Sequence, residues 1–123
     1  MKKIEGGVTA AIGFKAAGGS AGIKKENVKD MALIYSIVPC VAAGTFTTNQ
    51  VKAAPVIWDQ EIVYDGDTAQ AIVCNSGIAN ACTGKRGYTY CHETAQAAAG
   101  ALNIPEGSVL VASTGGIRRP VPL

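Results

Sequence analysis

The sequence predicts an α/β fold in which a sheet and at least one helix lie in layers. Three observations predict it. Short apolar runs of strand length recur through the chain, one longer segment near residues 89–102 shows helical spacing, and the strand-like runs outnumber the helical ones. Two of the apolar runs also continue alike. Ala71-Ile72-Val73-Cys74 passes into Asn75-Ser76-Gly77, and Val109-Leu110-Val111 passes into Ala112-Ser113-Thr114-Gly115-Gly116. Buried strands that stop at Ser, Thr, Asn and Gly bring hydroxyls and backbone N–H groups to one rigid place. Oxyanion and phosphate sites use donor clusters of this kind.

In chain order, the stretch to Lys29 is rich in Gly and Ala and reads as mostly loop, with room for one short strand. Met31–Ser36 has the length and apolar content of a buried strand, and Pro39 ends it. Ala43–Thr48 is β-prone, with a turn at Asn49. Ala53–Trp58 reads as a strand entered through Pro55, which suits an edge or a strand start. Glu61–Tyr64 is followed by a turn signal at Asp65-Gly66-Asp67. Ala71–Cys74 is the next buried strand. Thr89–Leu102 is the best helix: Cys91, Ala95, Ala98 and Leu102 share a stripe, Thr89 can cap the start, and Pro105 forbids extension. Its alanines suit close packing on a sheet. Val109–Val111 is the last strand.

The 123 residues suffice for one modest domain, and 48% apolar against 16% charged residues favours a packed piece over a disordered one. Low charge with 15 glycines also suggests surface buried against something else, either an obligate partner or a missing C-terminal half. A formal charge of +2 is too small to argue for nucleic acid, and aromatics at 6% do not interleave with the basic residues. The mixed-sign patch Lys24–Asp30 reads as a solvated loop. Neither a secretory signal nor a membrane span is evident, so the chain is expected to be soluble and cytoplasmic. Cys40, Cys74, Cys82 and Cys91 lack a C-x-x-C pairing and are expected as free thiols, with Cys74 a small core residue.

Among possible chemistries, Thr114 Oγ and the Gly115 N–H could point together at a developing negative oxygen. The alternative is an ordinary turn built of Ser, Thr and Gly. The spacing of a phosphate-binding loop is absent. Asn75–Gly84 could line a pocket for an amino-acid backbone or could brace the neighbouring strand. Cys91 and His92 are adjacent on the helix and diverge by about 100°, so they do not form a nucleophile–base pair. One His with scattered cysteines is a poor zinc set. No metal ligands and no cofactor site are expected.

Taken in order, several segments resemble one family. They are Gly7-Val8-Thr9-Ala10 with Gly13-Phe14, Ala21-Gly22-Ile23-Lys24, Ala43–Asn49, Lys52–Val56, Asn75-Ser76-Gly77, Ala79-Asn80-Ala81, Thr83-Gly84 and Ala112-Ser113-Thr114-Gly115. The set resembles the N-terminal part of the bifunctional glutamate N-acetyltransferase of arginine biosynthesis, also called ornithine acetyltransferase, over nearly the whole chain. The resemblance implies a partial α-chain domain, 1–123, of that α/β type. It also implies acetyl transfer from N-acetylornithine to glutamate, with acetyl-CoA a further donor in some members. The family's precursor cleaves itself into α and β chains, which assemble as an α2β2 heterotetramer. The new N-terminal threonine of the β chain is the nucleophile and can use its own amine as base. By the same resemblance, Thr114 and Gly115 form the oxyanion hole.

This sequence departs from the pattern at several places. Ala11-Ile12 replaces a usual Pro-Lys, Ile78 stands where Asn is common, and Gly116 and Arg118 replace residues of a Val-Ile-Gly-like continuation. The cleavage threonine and the family's substrate-contacting residues are expected beyond Leu123, so this chain alone is expected to be inactive. A second expectation stands beside the first: a non-catalytic truncated remnant or interaction piece, suggested by the altered tail Arg118–Leu123.

Overall fold

The computed structural model describes residues 1–66 and 68–120. Four strands form one sheet in the order β1-β2-β3-β4: β1 is Phe14–Gly19, β2 is Met31–Cys40, β3 is Ala69–Ile78 and β4 is Val109–Gly116. The β1/β2 and β2/β3 pairs are antiparallel, and β3/β4 is parallel. Helix α1, Ala54–Asp65, precedes β3, and helix α2, Gly84–Leu102, joins β3 to β4. A parallel pair requires such a crossover.

Both helices cover the same face of the sheet. Alternation along the strands sends Ala71, Val73, Val109 and Val111 toward them, where they pack with Trp58, Cys91, Ala95 and Ala99. Val109 and Ala95 are wholly excluded from solvent, at 0% exposure. Small residues on α2 let it lie close to the sheet, as its alanine content predicts. Two polar links tie α1 to β4. Trp58 Nε1 donates to the Val109 carbonyl at 2.9 Å, and the Val111 N–H donates to Asp59 Oδ1 at 2.8 Å.

Several expectations are corrected. Ala53–Trp58 is not a strand: α1 begins at Ala54 and also absorbs Glu61–Tyr64. Pro55 sits in its first turn, where a missing N–H and a fixed φ favour helix. Ala43–Thr48 forms no strand; Phe46 packs edge-on against Tyr64 with ring centroids 5.5 Å apart. Pro39 does not end β2, which reaches Cys40. The pairing with β3 jumps from Tyr35 to Cys40, and Pro39 sits inside that irregularity, where no ladder N–H is required of it. Helix α2 starts at Gly84, five residues earlier than expected. Thr89 lies inside it and donates its hydroxyl to the Lys85 carbonyl at 3.3 Å. Its buried stripe runs through Gly87, Cys91, Ala95 and Ala99, with Ala98 and Leu102 at the margin. The turn expected at Asp65-Gly66-Asp67 lies partly outside the described residues, as does the end of the tail, 121–123.

The N-terminal stretch does supply one short strand, β1. Lys24–Asp30 is only in part a solvated loop, because Asp30 is 3% exposed. Its carboxylate accepts the N–H groups of Ala21, Ile23 and Lys24 at 2.6, 2.8 and 3.0 Å. The Ala21 bond leads in holding this carboxyl below its ordinary range. All four cysteines are free thiols. Cys74 is half-buried, and its side chain lies on the sheet face away from the helices, outside the core cluster.

Candidate functional site

The two polar segments are not loops that follow strands. They are the closing residues of β3 and β4, hydrogen-bonded to each other in parallel register. Asn75 pairs with Ser113, Ser76 with Thr114, Gly77 with Gly115 and Ile78 with Gly116. Ser113 Oγ donates to Asn75 Oδ1 at 2.5 Å, which locks the first of these pairs from the helix side. Asn75 Nδ2 donates in turn to the Ile78 carbonyl at 2.8 Å.

Thr114 and Gly115 are both exposed. The backbone at Gly115 is held tightly. Its φ is +128°, and a Cβ there would stand 2.3 Å from the carbonyl carbon of Gly77. Gly77, at φ +107°, faces the loop before β2, where a Cβ would meet Ile23 Cγ2 at 2.8 Å. Only glycine fits this pair of facing positions. Two strands therefore approach closely at Gly77 and Gly115.

The surrounding polar groups brace this end of the sheet. Asn80 is 1% exposed. Its Nδ2 donates to the Gly87 carbonyl at 2.8 Å and to Cys91 Sγ at 3.2 Å, and its Oδ1 accepts the Thr83 hydroxyl at 2.8 Å. The Arg118 N–H donates to the Ala81 carbonyl at 2.8 Å, and the Ala79 N–H to that of Gly116 at 2.9 Å. Of the two readings of Asn75–Gly84, bracing describes the contacts of Asn80 and Thr83. The start of α1 reaches the same place through the Ala54 N–H and the Asn80 carbonyl, 3.4 Å apart. Both helices thus begin at the carboxyl end of the parallel strands, and neither carries an acid in its first turn. Their unneutralised N-terminal dipoles favour negative charge at this end.

Burial pushes the Asp59 carboxyl up to about 6, against the opposing pull of the Val111 N–H. Burial likewise pushes the Cys91 thiol up to about 11, which leaves it a poor nucleophile. His92 is at the surface beside buried Cys91, with Nε2 3.2 Å from Glu106 Oε1. Among the described residues no cluster of His, Cys, Asp or Glu could hold a metal ion. A cavity of about 940 Å³ opens on the helix side and is lined by residues such as Ala17, Leu33, Val73, Asn75, Thr94 and Ala98. Thr114 projects from the opposite face, by alternation from Val109 and Val111, so this apolar cavity is separate from it.

A model of the family described as ArgJ matches residues 15–123. The chain belongs to the ArgJ family. Its sequence is 51% identical over 122 residues to the arginine biosynthesis bifunctional protein ArgJ of Thermosynechococcus vestitus, a match that covers 99% of this chain and 29% of that protein. Among solved structures, it superposes on the ArgJ bifunctional protein of Bacillus halodurans with a TM-score of 0.88 and 43% identity, covering 95% of this chain and 61% of the other. It superposes on the ornithine acetyltransferase of Mycobacterium tuberculosis, solved in complex with ornithine, with a TM-score of 0.89 and 48% identity, covering 94% and 63%. The α/β fold is thus that of ArgJ proteins. The chain corresponds to the N-terminal segment and spans about 30% of the length of the curated relatives it matches.

The sequence singled out Thr114 and Gly115, and the fold sets them side by side on one strand. It missed Ser76 as the neighbour of Thr114 and Gly77 as the backbone against which Gly115 fits. Their signal was the equal offset of the two polar tails from their apolar runs, which a parallel pairing brings into register.

Proposed function

We propose that this chain is the N-terminal segment of an acyltransferase of arginine biosynthesis that moves an acetyl group from N-acetylornithine to glutamate. It supplies the oxyanion hole through the Thr114 hydroxyl and the Gly115 N–H. The nucleophile is a threonine hydroxyl at the N-terminus of a β chain cut from the same precursor, outside these residues. The observation that carries this reading is the exposed Thr114-Gly115 step, held against Gly77 at the carboxyl end of a parallel strand pair.

In this scheme the threonine hydroxyl attacks the acetyl carbonyl and gives its proton to its own amine. The carbonyl oxygen becomes an oxyanion facing Thr114 and Gly115. The C–N bond then breaks, ornithine leaves with the proton, and an acetyl ester remains on the threonine. The glutamate amine attacks that ester, the same donors hold the second oxyanion, and N-acetylglutamate departs as the threonine hydroxyl is restored. Acetyl-CoA can load the same ester in members that use it. The working assembly is an α2β2 heterotetramer in the cytoplasm.

The test is a full-length chimera in which this chain replaces the matched part of the T. vestitus relative. Thr114→Ala there is expected to lower kcat about 10²–10³-fold, the usual cost of one oxyanion donor, with little change in Tm. An equal loss of stability and turnover overturns the reading, because an exposed strand-end hydroxyl would then be structural.

A further inference from the structure

We infer that Asp30 is a positioning residue for the Thr114-Gly115 step: its carboxylate clamps the connection between β1 and β2 against Gly77, the backbone on which Gly115 rests. This deepens the acyltransferase reading and rests on it for its meaning in the reaction. The clamp itself is geometry.

The connection, residues 20–30, contains no helix or strand. Three of its N–H groups converge instead on one side chain. Asp30 Oδ1 accepts from Ala21 at 2.6 Å, and Oδ2 accepts from Ile23 at 2.8 Å and from Lys24 at 3.0 Å. The backbone of Asp30 is fixed as well. Its N–H donates to the Gly19 carbonyl at 3.0 Å, and its carbonyl accepts the Ser76 N–H at 2.8 Å. Asp30 thus ties β1, the connection and β3 together while almost wholly covered, at 3% exposure.

These bonds lead to the candidate site by two routes. Ser76, held by the Asp30 carbonyl, pairs in register with Thr114. The clamped turn also lays Ile23 and Lys24 on Gly77, where an added Cβ would stand 2.8 Å from Ile23 Cγ2 and 3.2 Å from Lys24 Cγ. Gly77 in turn backs Gly115, whose added Cβ would stand 2.3 Å from the Gly77 carbonyl carbon. One carboxylate therefore holds the turn, the turn holds Gly77, and Gly77 holds Gly115. A displacement of about 1 Å at a reacting centre can cost on the order of 10²-fold in rate.

The position demands a carboxylate rather than any polar group of that shape. Both oxygens are in use. An amide has one acceptor oxygen, so in either orientation its NH2 confronts at least one of the three donors and leaves a covered N–H without a partner.

The test uses the full-length T. vestitus chimera and compares Asp30→Asn, Thr114→Ala and the double variant, each assayed at a temperature where circular dichroism shows it folded. Asp30→Asn is expected to lower kcat about tenfold or more with KM for N-acetylornithine and glutamate unchanged, because oxyanion donors act on the transition state and not on bound substrate. The double variant is expected to lose less than the product of the two single losses, since a hole without its hydroxyl has less to lose by displacement. Glu26→Gln, exposed on the same connection, is expected to leave kcat unchanged. If Asp30→Asn does not fold, Ile23→Ala replaces it in the comparison; it withdraws the contact on Gly77 and is expected to cost about threefold in kcat. A double loss equal to the product, or a raised KM with kcat intact, overturns the inference, because the clamp would then be purely structural. So does an equal loss in Glu26→Gln, which would make charge on the connection, not anchorage, the cause. Parental kcat in Thr114→Ala sinks the acyltransferase reading itself, and the role of Asp30 in the reaction with it.

Discussion

A Cβ at residue 115 has nowhere to go. It would lie 2.3 Å from one backbone atom of Gly77 and 2.6 Å from another, at a φ of +128° that side chains avoid. Backbone cannot move aside as a flexible side chain can. Gly115→Ala is therefore expected to force β4 away from β3 at this pair and to lower stability by about 2 kcal/mol or more. Chemical denaturation of the parent and the variant checks it; unchanged stability would mean that the strands do not approach this closely. Arg118 shows the converse. It takes φ +59°, so a bulky residue occupies left-handed backbone just after the site.

At the scale of elements, α1 is fastened to β4 by an acid that resists ionisation. Asp59 accepts the Val111 N–H at 2.8 Å, yet burial raises its carboxyl from 3.8 to about 6. A raised carboxyl means that the folded state holds its proton where the unfolded state has released it. The contribution is present below about 4 and is lost as pH climbs through about 6. Asp59→Asn keeps an acceptor for Val111 and removes the charge. The variant is expected to match the parent near pH 4 and to exceed it in Tm at pH 7, with the gap opening across that window. Thermal unfolding over the pH series measures it; a gap that widens toward acid would reverse the assignment.

Sequence periodicity revealed some elements better than others, for physical reasons. Ala71–Cys74 and Val109–Val111 were legible because both faces of these strands are apolar, with Ala71, Val73, Val109 and Val111 buried and Ile72, Cys74 and Leu110 half-buried. The stripe on α2 was legible because its other faces meet water. By contrast, α1 opens with Ala54-Pro55-Val56-Ile57-Trp58, an apolar run with no bare polar side, so helical and strand periods look alike there. The ends of β3 and β4 were obscured by the polar residues that make them interesting: Asn, Ser, Thr and Gly signal a turn unless a partner strand completes the ladder. Thr114 and Gly115 could be named from their neighbours in sequence. The facing Ser76-Gly77 and the burial of Asp30 depend on contacts across 38 or 6–9 residues of chain, which local patterns do not carry.

Considered as a whole molecule, this chain packs its helices over β3 and β4 and leaves Thr114 outside that packing. The helix face is closed around Val109, Ala95 and Cys91, each at or below 1% exposure, and opens at the cavity lined by Ala17 and Leu33, while Thr114 stands exposed on the opposite face. Oxyanion donors act strongly where water is excluded and where an attacking group is held in place. In open solvent, water competes for the same oxyanion and screens its charge. A preorganised hole can sustain residual catalysis after the nucleophile is lost, but only within a pocket that still binds substrate. The exposed Thr114-Gly115 step provides no such enclosure. The purified chain, incubated with N-acetylornithine and glutamate, is therefore expected to release ornithine no faster than buffer does. Robust release, measured by a primary-amine assay with chromatographic identification of the product, would mean that these 123 residues hold their own nucleophile, and the division of labour between an oxyanion-hole segment and a separate attacking chain would have to be abandoned.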